Sequence, residues 1–238
     1  LHTHSTYSDG VHSIEQMAIA ARDLGYEYIA MTDHSQSARY ANGMQPDEIT
    51  GYLDEITRLN QKLDGIRILT GTESDILTDG SLDYPDELLD RFDYIVGSVH
   101  SQFNMSEEQM TERVLRALEN PYMDVLGHPT GRLLLAREPF AINMSRICEA
   151  AAALEVAIEI NANPHRLDLD WREAKGFLAR GGWLSINPDA HRVEGLADME
   201  YGVAVARKGW ATREQVMNVL AADELIELVR ARRGRRRA

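Results

Sequence analysis

The chain begins with LHTHSTYSDG at residues 1–10, where side chains that bind metals precede the first predicted helix. His2 and His4 are two residues apart, so in an extended strand both side chains point to the same face. Asp9 follows within the same stretch. Imidazole and carboxylate groups delivered together by one short segment predict a metal site at the end of a first strand, residues 1–4.

Runs of β-branched and aromatic residues alternate with amphipathic helical patterns along the rest of the chain. The predicted strands cover residues 1–4, 26–32, 66–73, 93–99, 124–127, 156–161 and 183–187. The predicted helices cover residues 13–24, 47–63, 85–91, 106–119, 143–153, 171–180, 196–208, 213–220 and 223–232. This repeated alternation predicts an α/β fold with a parallel sheet, either a (β/α) barrel or a doubly wound open sheet.

Side chains that bind metals follow six of the seven predicted strands. They are His2, His4, Asp9, His34, Glu73, His100, His128, Asp189 and His191. In a parallel barrel the carboxyl ends of the strands converge on one rim, whereas an open sheet scatters them along an edge. We therefore predict a distorted, seven-stranded (β/α) barrel similar to a TIM barrel, with a metal site on that rim. The two other histidines, His12 and His165, are predicted to lie outside the site.

The types of ligand constrain the metal. Mixed imidazole and carboxylate ligands suit zinc, manganese or iron, and this number of ligands corresponds to two or three ions. The chain has only three lysines, Lys62, Lys175 and Lys208, and all fall in helical patterns. A carboxylated lysine at a strand end is therefore not expected as the anion that bridges two metal ions. Glu73 is the candidate for that role.

Composition and charge limit the class of protein. With 44% hydrophobic and 26% charged residues the chain is typical of a globular protein. No run approaches the roughly 20 apolar residues that cross a bilayer. The single cysteine, Cys148, lies in an apolar run, which excludes an internal disulfide and favours a cytoplasmic protein. The net charge of −13 opposes long-range attraction to nucleic acid unless metals or another domain reverse the local field.

We predict one domain over residues 1–229, followed by an arginine-rich tail over residues 230–238. The tail, RARRGRRRA, carries six arginines, and the other 229 residues carry a net charge of −19. We interpret it as a solvated helix end, with a phosphate-binding arm as the alternative. Because residues 1–4 look like the end of a strand without its beginning, we expect the domain to come from a longer chain.

Six short stretches together resemble a known family. LHTHSTYSDG, MTDHS, GTESDI, GSVHS, GHPTGRLL and NPDAH are similar to the PHP (polymerase and histidinol phosphatase) phosphoesterases, and the resemblance covers nearly the whole chain. It implies the PHP fold, a distorted barrel with three divalent ions, manganese or zinc. One ion would be held by His2, His4, Glu73 and Asp189, a second by Glu73, His100 and His128, and the third by Asp9, His34 and His191.

Two longer stretches resemble one branch of that family. GHPTGRLLLAREPF (127–140) and EINANPHRLDLDW (159–171) are similar to the PHP domain that follows the polymerase core in bacterial family X DNA polymerases. This implies a manganese-dependent 3′–5′ exonuclease that trims 3′ ends and abasic sites, with an upstream polymerase domain as its partner. The present sequence contains no polymerase or helix-hairpin-helix portion, which leaves its affinity for DNA open.

Charge suggests how such a site acts. Three divalent ions outweigh three carboxylates, so the cleft attracts phosphate, and a metal lowers the pKa of bound water to about 7, which supplies a hydroxide to attack phosphorus. We predict that Glu73 bridges the ions that carry this hydroxide. Arg132 and Arg166 are predicted to clamp phosphate oxygens, with surface salt bridges as the alternative. Asp33 is expected to orient a ligand histidine.

Three functions remain open at this point. The favoured one is a metal-dependent phosphodiesterase that acts on DNA 3′ ends. The second is a small-molecule phosphatase of the histidinol-phosphate type, which the acidic composition and the lack of a basic groove favour. The third is a catalytically silent PHP module that supports a polymerase, and it is disfavoured because no ligand is missing. A serine nucleophile beside His100 would leave the other ligands without a role.

Overall fold

The computed structural model describes residues 1–237, which form an α/β fold around six parallel strands in sequential order. The strands are β1 (Tyr28–Met31), β2 (Arg67–Asp75), β3 (Tyr94–Ser98), β4 (Val125–Leu126), β5 (Ala157–Asn161) and β6 (Leu184–Asn187). The helices are α1 (Ile14–Asp23), α2 (Ile49–Lys62), α3 (Asp86–Leu89), α4 (Glu107–Glu119), α5 (Met144–Ala153), α6 (Trp171–Ala179), α7 (Met199–Lys208) and α8 (Ala222–Arg237). The sheet curls into a half-barrel, which confirms the predicted fold class. Within residues 1–237, no helix is both long and apolar enough to cross a membrane.

The predicted first strand is present as a single bridge rather than as a ladder. Thr3 pairs in parallel with Ala190, just beyond β6, and the Thr3 carbonyl accepts a hydrogen bond of 2.8 Å from the amide of Thr32, just beyond β1. The segment therefore lies between the first and last strands and closes the half-barrel at its carboxyl-terminal rim. This position brings His2 and His4 into the interior, where both are fully buried.

Side chains alternate between the two faces of the sheet, as the period of two requires. In β5, Ile158 and Ile160 join the core between the sheet and the helices, whereas Ala157 joins a second cluster on the inner face. The same alternation points Glu159 and Asn161 inward, where they are fully buried. The inner face is thus apolar at the start of the strand and polar at its carboxyl end.

The predicted helix over residues 213–220 is wrong. The chain forms two short 3₁₀ turns there, Arg213–Gln215 and Met217–Val219, although Thr212 and Gln215 form a capping box. Asn218 explains the difference, because its side-chain amide donates to the Ile186 carbonyl at 2.7 Å and accepts from the Ile186 amide at 2.8 Å. These bonds pair both backbone groups of Ile186 in β6, and a continuous helix over residues 213–220 would lose them.

The arginine-rich segment is not a solvated tail, nor a phosphate-binding arm at the rim. Helix α8 runs through the predicted boundary at residue 230, and Arg233 is buried against Asp124, with 3.0 Å between Nε and Oδ1. Three further ion pairs of this helix join it to residues beside the strands: Arg67–Asp223, Arg230–Asp93 and Arg235–Glu155. Their partners stand at or just before the first residues of β2, β3 and β5. The helix therefore crosses the amino-terminal ends of the strands, opposite the ligand-bearing rim.

Replacement of Arg233 by methionine should lower the free energy of unfolding by about 3–5 kcal/mol, because it removes the guanidinium that donates to both oxygens of the buried Asp124 carboxylate and leaves only the more distant Arg236 beside it. Urea denaturation followed by circular dichroism measures this loss. Arg235→Met is the matched control: Arg235 pairs with Glu155 on the surface, so its loss should change stability little. Equal effects of the two substitutions would contradict a buried anchoring role for Arg233.

Candidate metal centre

The carboxylate of Glu73, at the carboxyl end of β2, is the centre of the rim. It is 1% exposed, and five imidazoles surround it. The ring nitrogens nearest to a Glu73 oxygen are those of His34 and His128 at 3.0 Å, His2 at 3.2 Å, His100 at 3.3 Å and His4 at 3.6 Å. Strands β1 to β4 and the N-terminal segment each contribute to this ring, so it depends on the curvature of the whole sheet.

Two further carboxylates extend the cluster on the side of β6. Asp189 lies 3.3 Å from His4 Nε2 and 3.6 Å from His2 Nε2. Asp9 lies 3.3 Å from His191 Nε2 and is the more exposed of the two. The structure therefore brings all nine residues predicted as ligands into one continuous cluster.

The ligand atoms fall into three groups, each within 4.8 Å. They are His4, Asp9, His34 and His191; His2, His4 and Asp189; and His34, Glu73 and His100. The groups resemble the ligand sets that the family resemblance implies, but His34 also reaches the Glu73 group and His4 also reaches the Asp9 group. The two histidines predicted to lie elsewhere do so: His12 accepts from the Val193 amide, and His165 is exposed.

The donor atoms are suited to divalent ions because many of them lack any other partner. Among the described residues, the buried atoms without a hydrogen bond include His2 Nε2, both ring nitrogens of His4, His34 Nδ1, His128 Nδ1 and Glu73 Oε2. Buried polar atoms are normally hydrogen-bonded, since leaving one unpaired costs about 1–3 kcal/mol. Metal ions would use these lone pairs, so the residues present fit the ions that the sequence predicts.

The backbone leaves regular geometry where two of the ligands are presented. His128 has φ of 21° and Asp189 has φ of 51°. In β4, Leu126 faces the helices, so strict alternation would turn the His128 side chain the same way. The positive φ marks the break in alternation that lets His128 reach Glu73. Conformations of this kind are costly and cluster at functional sites.

Asp33 holds the loop that carries Asp9, and its carboxylate is not hydrogen-bonded to a ligand histidine, contrary to the prediction. Its carboxylate accepts from the Ser5 amide and hydroxyl, both at 2.8 Å, and from the Ser8 hydroxyl at 2.7 Å. Gly10 allows the loop to close, because a Cβ there would lie 2.6 Å from the backbone of His4. Asp33 therefore acts on the position of Asp9.

Burial and neighbouring charges shift the protonation of the cluster in opposite directions. Burial disfavours charged His100, but Glu73 and Asp75 outweigh burial and raise the pKa of His100 to about 10. Burial and nearby charged imidazoles lower the pKa of His4 to about 3. Burial alone would raise the pKa of Glu73, yet His2 and His100 hold it well below its usual range. Ion binding must therefore displace protons from some of these imidazoles.

The sequence argument missed two carboxylates that position the histidines. Glu159 accepts from His2 Nδ1 at 2.8 Å and from the His128 amide at 2.7 Å. Asp75 lies 2.6 Å from His100 Nδ1. Both orient a ring so that its other nitrogen faces Glu73. The sequence contains a signal for both residues. In the strands AIEIN and GTESD, the alternation of side chains places Glu159 and Asp75 at inward-facing positions.

The two predicted phosphate clamps occupy different places. Arg166 lies at the cluster, with Nε 3.3 Å from Asp189 Oδ2 and with a buried Nη1 that has no hydrogen-bond partner among the described residues. Arg132 instead donates from Nε to the Arg166 carbonyl at 2.9 Å and from Nη2 to the Leu167 carbonyl. Its remaining Nη1 is 4.0 Å from Asp170. This geometry favours a positioning role for Arg132, because its guanidinium supports the loop that carries Arg166.

The order and geometry of these ligands match a known family. The PHP domain pattern fits residues 1–163, which carry seven of the nine clustered ligands. The chain belongs to the PHP domain family. It is a metal-dependent phosphoesterase of the hydrolase class. The remaining two ligands, Asp189 and His191, lie beyond the matched range.

Relatives of this PHP chain differ in length and in described activity. It is 44% identical over 225 residues to the DNA polymerase/3′-5′ exonuclease PolX of Bacillus subtilis (strain 168), covering 94% of this chain but 40% of that protein. The chain thus spans about two fifths of that relative. It is 28% identical over 228 residues to a probable phosphatase of Thermoanaerobacter sp. (strain X514), covering 91% of this chain and 88% of that protein.

A solved structure shows the same PHP fold. The histidinol phosphate phosphatase of Lactococcus lactis, complexed with zinc, L-histidinol and phosphate, superposes with a TM-score of 0.64 at 21% identity. The match covers 87% of this chain and 92% of that chain.

Replacement of Glu159 by glutamine should weaken metal binding about 10- to 100-fold, because it removes the charged acceptor that orients His2 while preserving the shape of the side chain. Competition with a chromophoric chelator, using manganese and zinc separately, measures the affinity. Glu119→Gln, on the exposed surface of α4, is the matched control and should bind as the parent does. Unchanged affinity in Glu159→Gln with a normal circular dichroism spectrum would refute the role assigned to Glu159.

Proposed function

We propose that the chain is a metal-dependent 3′–5′ exonuclease and 3′-end-processing domain acting on DNA. The observation that carries the proposal is the Glu73 cluster, in which six histidines and three carboxylates converge on one rim. Such a set of ligands suits two or three adjacent divalent ions that stabilise the attacking and departing oxygens of a phosphoryl transfer. The higher identity to the PolX relative, 44% against 28% for the phosphatase, supports DNA as the substrate.

Within the cluster, Glu73 is the residue placed to bridge ions. Its two oxygens face different histidines: Oε1 lies 3.0–3.3 Å from His128, His2 and His100, whereas Oε2 is nearest to His34. Ions bound there would lower the pKa of a coordinated water and neutralise charge on the phosphate. Burial opposes the charge of Glu73, but His2 and His100 hold its pKa well below its usual range, so it stays ionised and is available as an anionic ligand at physiological pH.

Arg166 is the residue placed to bind phosphate. Its guanidinium is held at Nε by Asp189, while Nη1 is buried and has no hydrogen-bond partner within residues 1–237. A planar guanidinium pairs well with two phosphate oxygens, and a buried one does so in a medium of low dielectric constant. Arg132 supports this arrangement from behind through the carbonyls of residues 166 and 167. Loss of either arginine would therefore disturb the same phosphate contact.

A second candidate is a phosphatase for small phosphate esters such as histidinol phosphate. Two observations favour it: the net charge of −13, which opposes DNA, and the match to 88% of a probable phosphatase. The third candidate, a catalytically silent module, has less support, because every predicted ligand position carries a side chain that can bind metal. The first candidate also requires a source of DNA affinity, and the upstream polymerase domain that the PolX relative suggests would supply it.

A cytoplasmic location stays a prediction, in keeping with a single buried free thiol.

Three ions, manganese or zinc, form part of this proposal, and Asp9 tests their number. Asp9→Asn removes the only carboxylate of the group formed with His4, His34 and His191, so bound metal should fall from three equivalents to two. Elemental analysis after dialysis against trace metal measures the ratio. Asp54→Asn, on the exposed face of α2, should retain three equivalents. A wild-type ratio of two, unchanged by Asp9→Asn, would contradict the third ion.

Substrate class is tested by assaying two kinds of substrate side by side with manganese. We expect 5′-labelled DNA with a free 3′ end to be shortened stepwise, and both chelator and His100→Ala to reduce the rate at least 100-fold, because His100 lies 3.3 Å from Glu73. His165→Ala, an exposed histidine outside the cluster, is the matched control and should act as the parent does.

The same assay distinguishes the alternatives. Hydrolysis of monoesters, including histidinol phosphate, with DNA left intact would make the protein a small-molecule phosphatase. Inactivity towards both substrates, with metal bound, would favour the silent module and overturn the proposal for this chain.

A further inference from the structure

One aromatic side chain stands exposed beside the metal centre without a role in the fold. Tyr40 is 68% exposed, and its ring centroid lies 6.1 Å from the ring of His34 and 6.1 Å from the ring of His100. These two histidines approach Glu73 from different strands and form one ligand group with it, so Tyr40 lies beside that group. Large apolar rings exposed next to a reaction centre are typical of ligand contacts.

The loop that carries Tyr40 is firmly held. Its neighbours Ala38, Ala41 and Met44 are fully buried, and the Met44 amide donates to the His34 carbonyl at 2.8 Å. Gly43 is required for this packing, because a Cβ there would lie 1.9 Å from the Ser35 carbonyl oxygen. The exposure of Tyr40 therefore results from a compact 3₁₀ turn, Arg39–Ala41, that presents the ring to solvent.

The other aromatic rings near this rim are already in use. Phe103 is covered on one side by the guanidinium of Arg137, 4.3 Å from its centroid, and stacks at 8° with Phe140. Tyr7 packs edge-on against a buried tyrosine and donates to Glu55 at 2.8 Å. Of these rings, Tyr40 is the one with an open face beside the ligands.

We propose that Tyr40 stacks on the base of the nucleotide whose phosphate lies at the metal centre. The inference rests on the proposed function, and it assigns the recognition of the terminal nucleotide to this chain rather than to another domain. A 3′–5′ exonuclease breaks the bond between phosphorus and the preceding O3′, so the scissile phosphate and the terminal base belong to one nucleotide. With the phosphate held by Arg166 and the ions, that base is within reach of a ring that lies 6.1 Å from the ligand histidines.

Such a stack makes the site distinguish a nucleotide from a bare sugar phosphate without reading sequence. Every base presents a flat π face, so stacking tolerates all four bases. An abasic 3′ end offers no such face and would be held through its phosphate alone. Tyr40 should therefore act on the KM for intact ends and leave the processing of abasic ends unchanged.

Binding of two products to the manganese-loaded full chain tests the stack independently of turnover. Calorimetry should show dAMP binding about tenfold more tightly than deoxyribose 5-phosphate, the effect of one base–aromatic stack. Tyr40→Ala should abolish this preference by weakening dAMP alone, and Tyr40→Phe should retain it because the ring, not the hydroxyl, makes the contact. Tyr26→Ala is the matched control, since Tyr26 precedes β1 at the opposite end of the strands and should leave both affinities unchanged.

The outcomes separate this inference from the proposed function. Equal binding of the two ligands to the parent, or a preference for dAMP that survives in Tyr40→Ala, overturns the stack even if DNA is degraded. A preference that depends on Tyr40 in a protein that leaves DNA intact supports the stack and overturns the exonuclease. Loss of the preference in Tyr40→Phe as well would assign the contact to the hydroxyl and overturn stacking.

Discussion

The structure depends on one buried carboxylate, Glu73, and the five imidazoles that surround it at 3.0–3.6 Å. A charge in the interior is tolerated only when it is paired and hydrogen-bonded. The pairing here is distributed over β1 to β4 and the N-terminal segment, so the sheet must curl for the histidines to meet. The unpartnered ring nitrogens show that protein groups alone do not complete this site, and divalent ions are the groups that fit it.

The two ends of the half-barrel have opposite chemical roles. At the carboxyl ends of the strands, inward-facing positions are polar. Glu159 and Asp75 there orient the rings of His2 and His100 towards Glu73. At the amino-terminal ends, α8 packs apolar residues against the inner face and buries Arg233 against Asp124. The positive charge at the end of the sequence therefore stabilises the fold, and it is not available to attract a nucleic acid at the rim. Under the proposed function, a substrate phosphate would be attracted by bound ions and by Arg166.

This distribution of charge bears on the substrate. A phosphate could be held by Arg166 beside the cluster, but the net charge of −13 opposes long-range attraction of a DNA strand. The proposed nuclease would therefore use short-range contacts at the terminal nucleotide, through the ions, Arg166 and the face of Tyr40. Longer-range affinity would have to come from an additional domain, as the greater length of the PolX relative suggests.

The sequence by itself determined the parallel α/β fold and the set of residues that gather at the rim, because strand alternation and the convergence of strand ends are local or topological rules. Glu159 and Asp75 were encoded in the same alternation. The tertiary structure alone decided three other features. Hydrogen bonds from Asn218 to β6 replaced a predicted helix, the position of α8 turned an apparent tail into an anchor, and a positive φ directed His128 inward. Each results from contacts between residues distant in sequence, which no local pattern records.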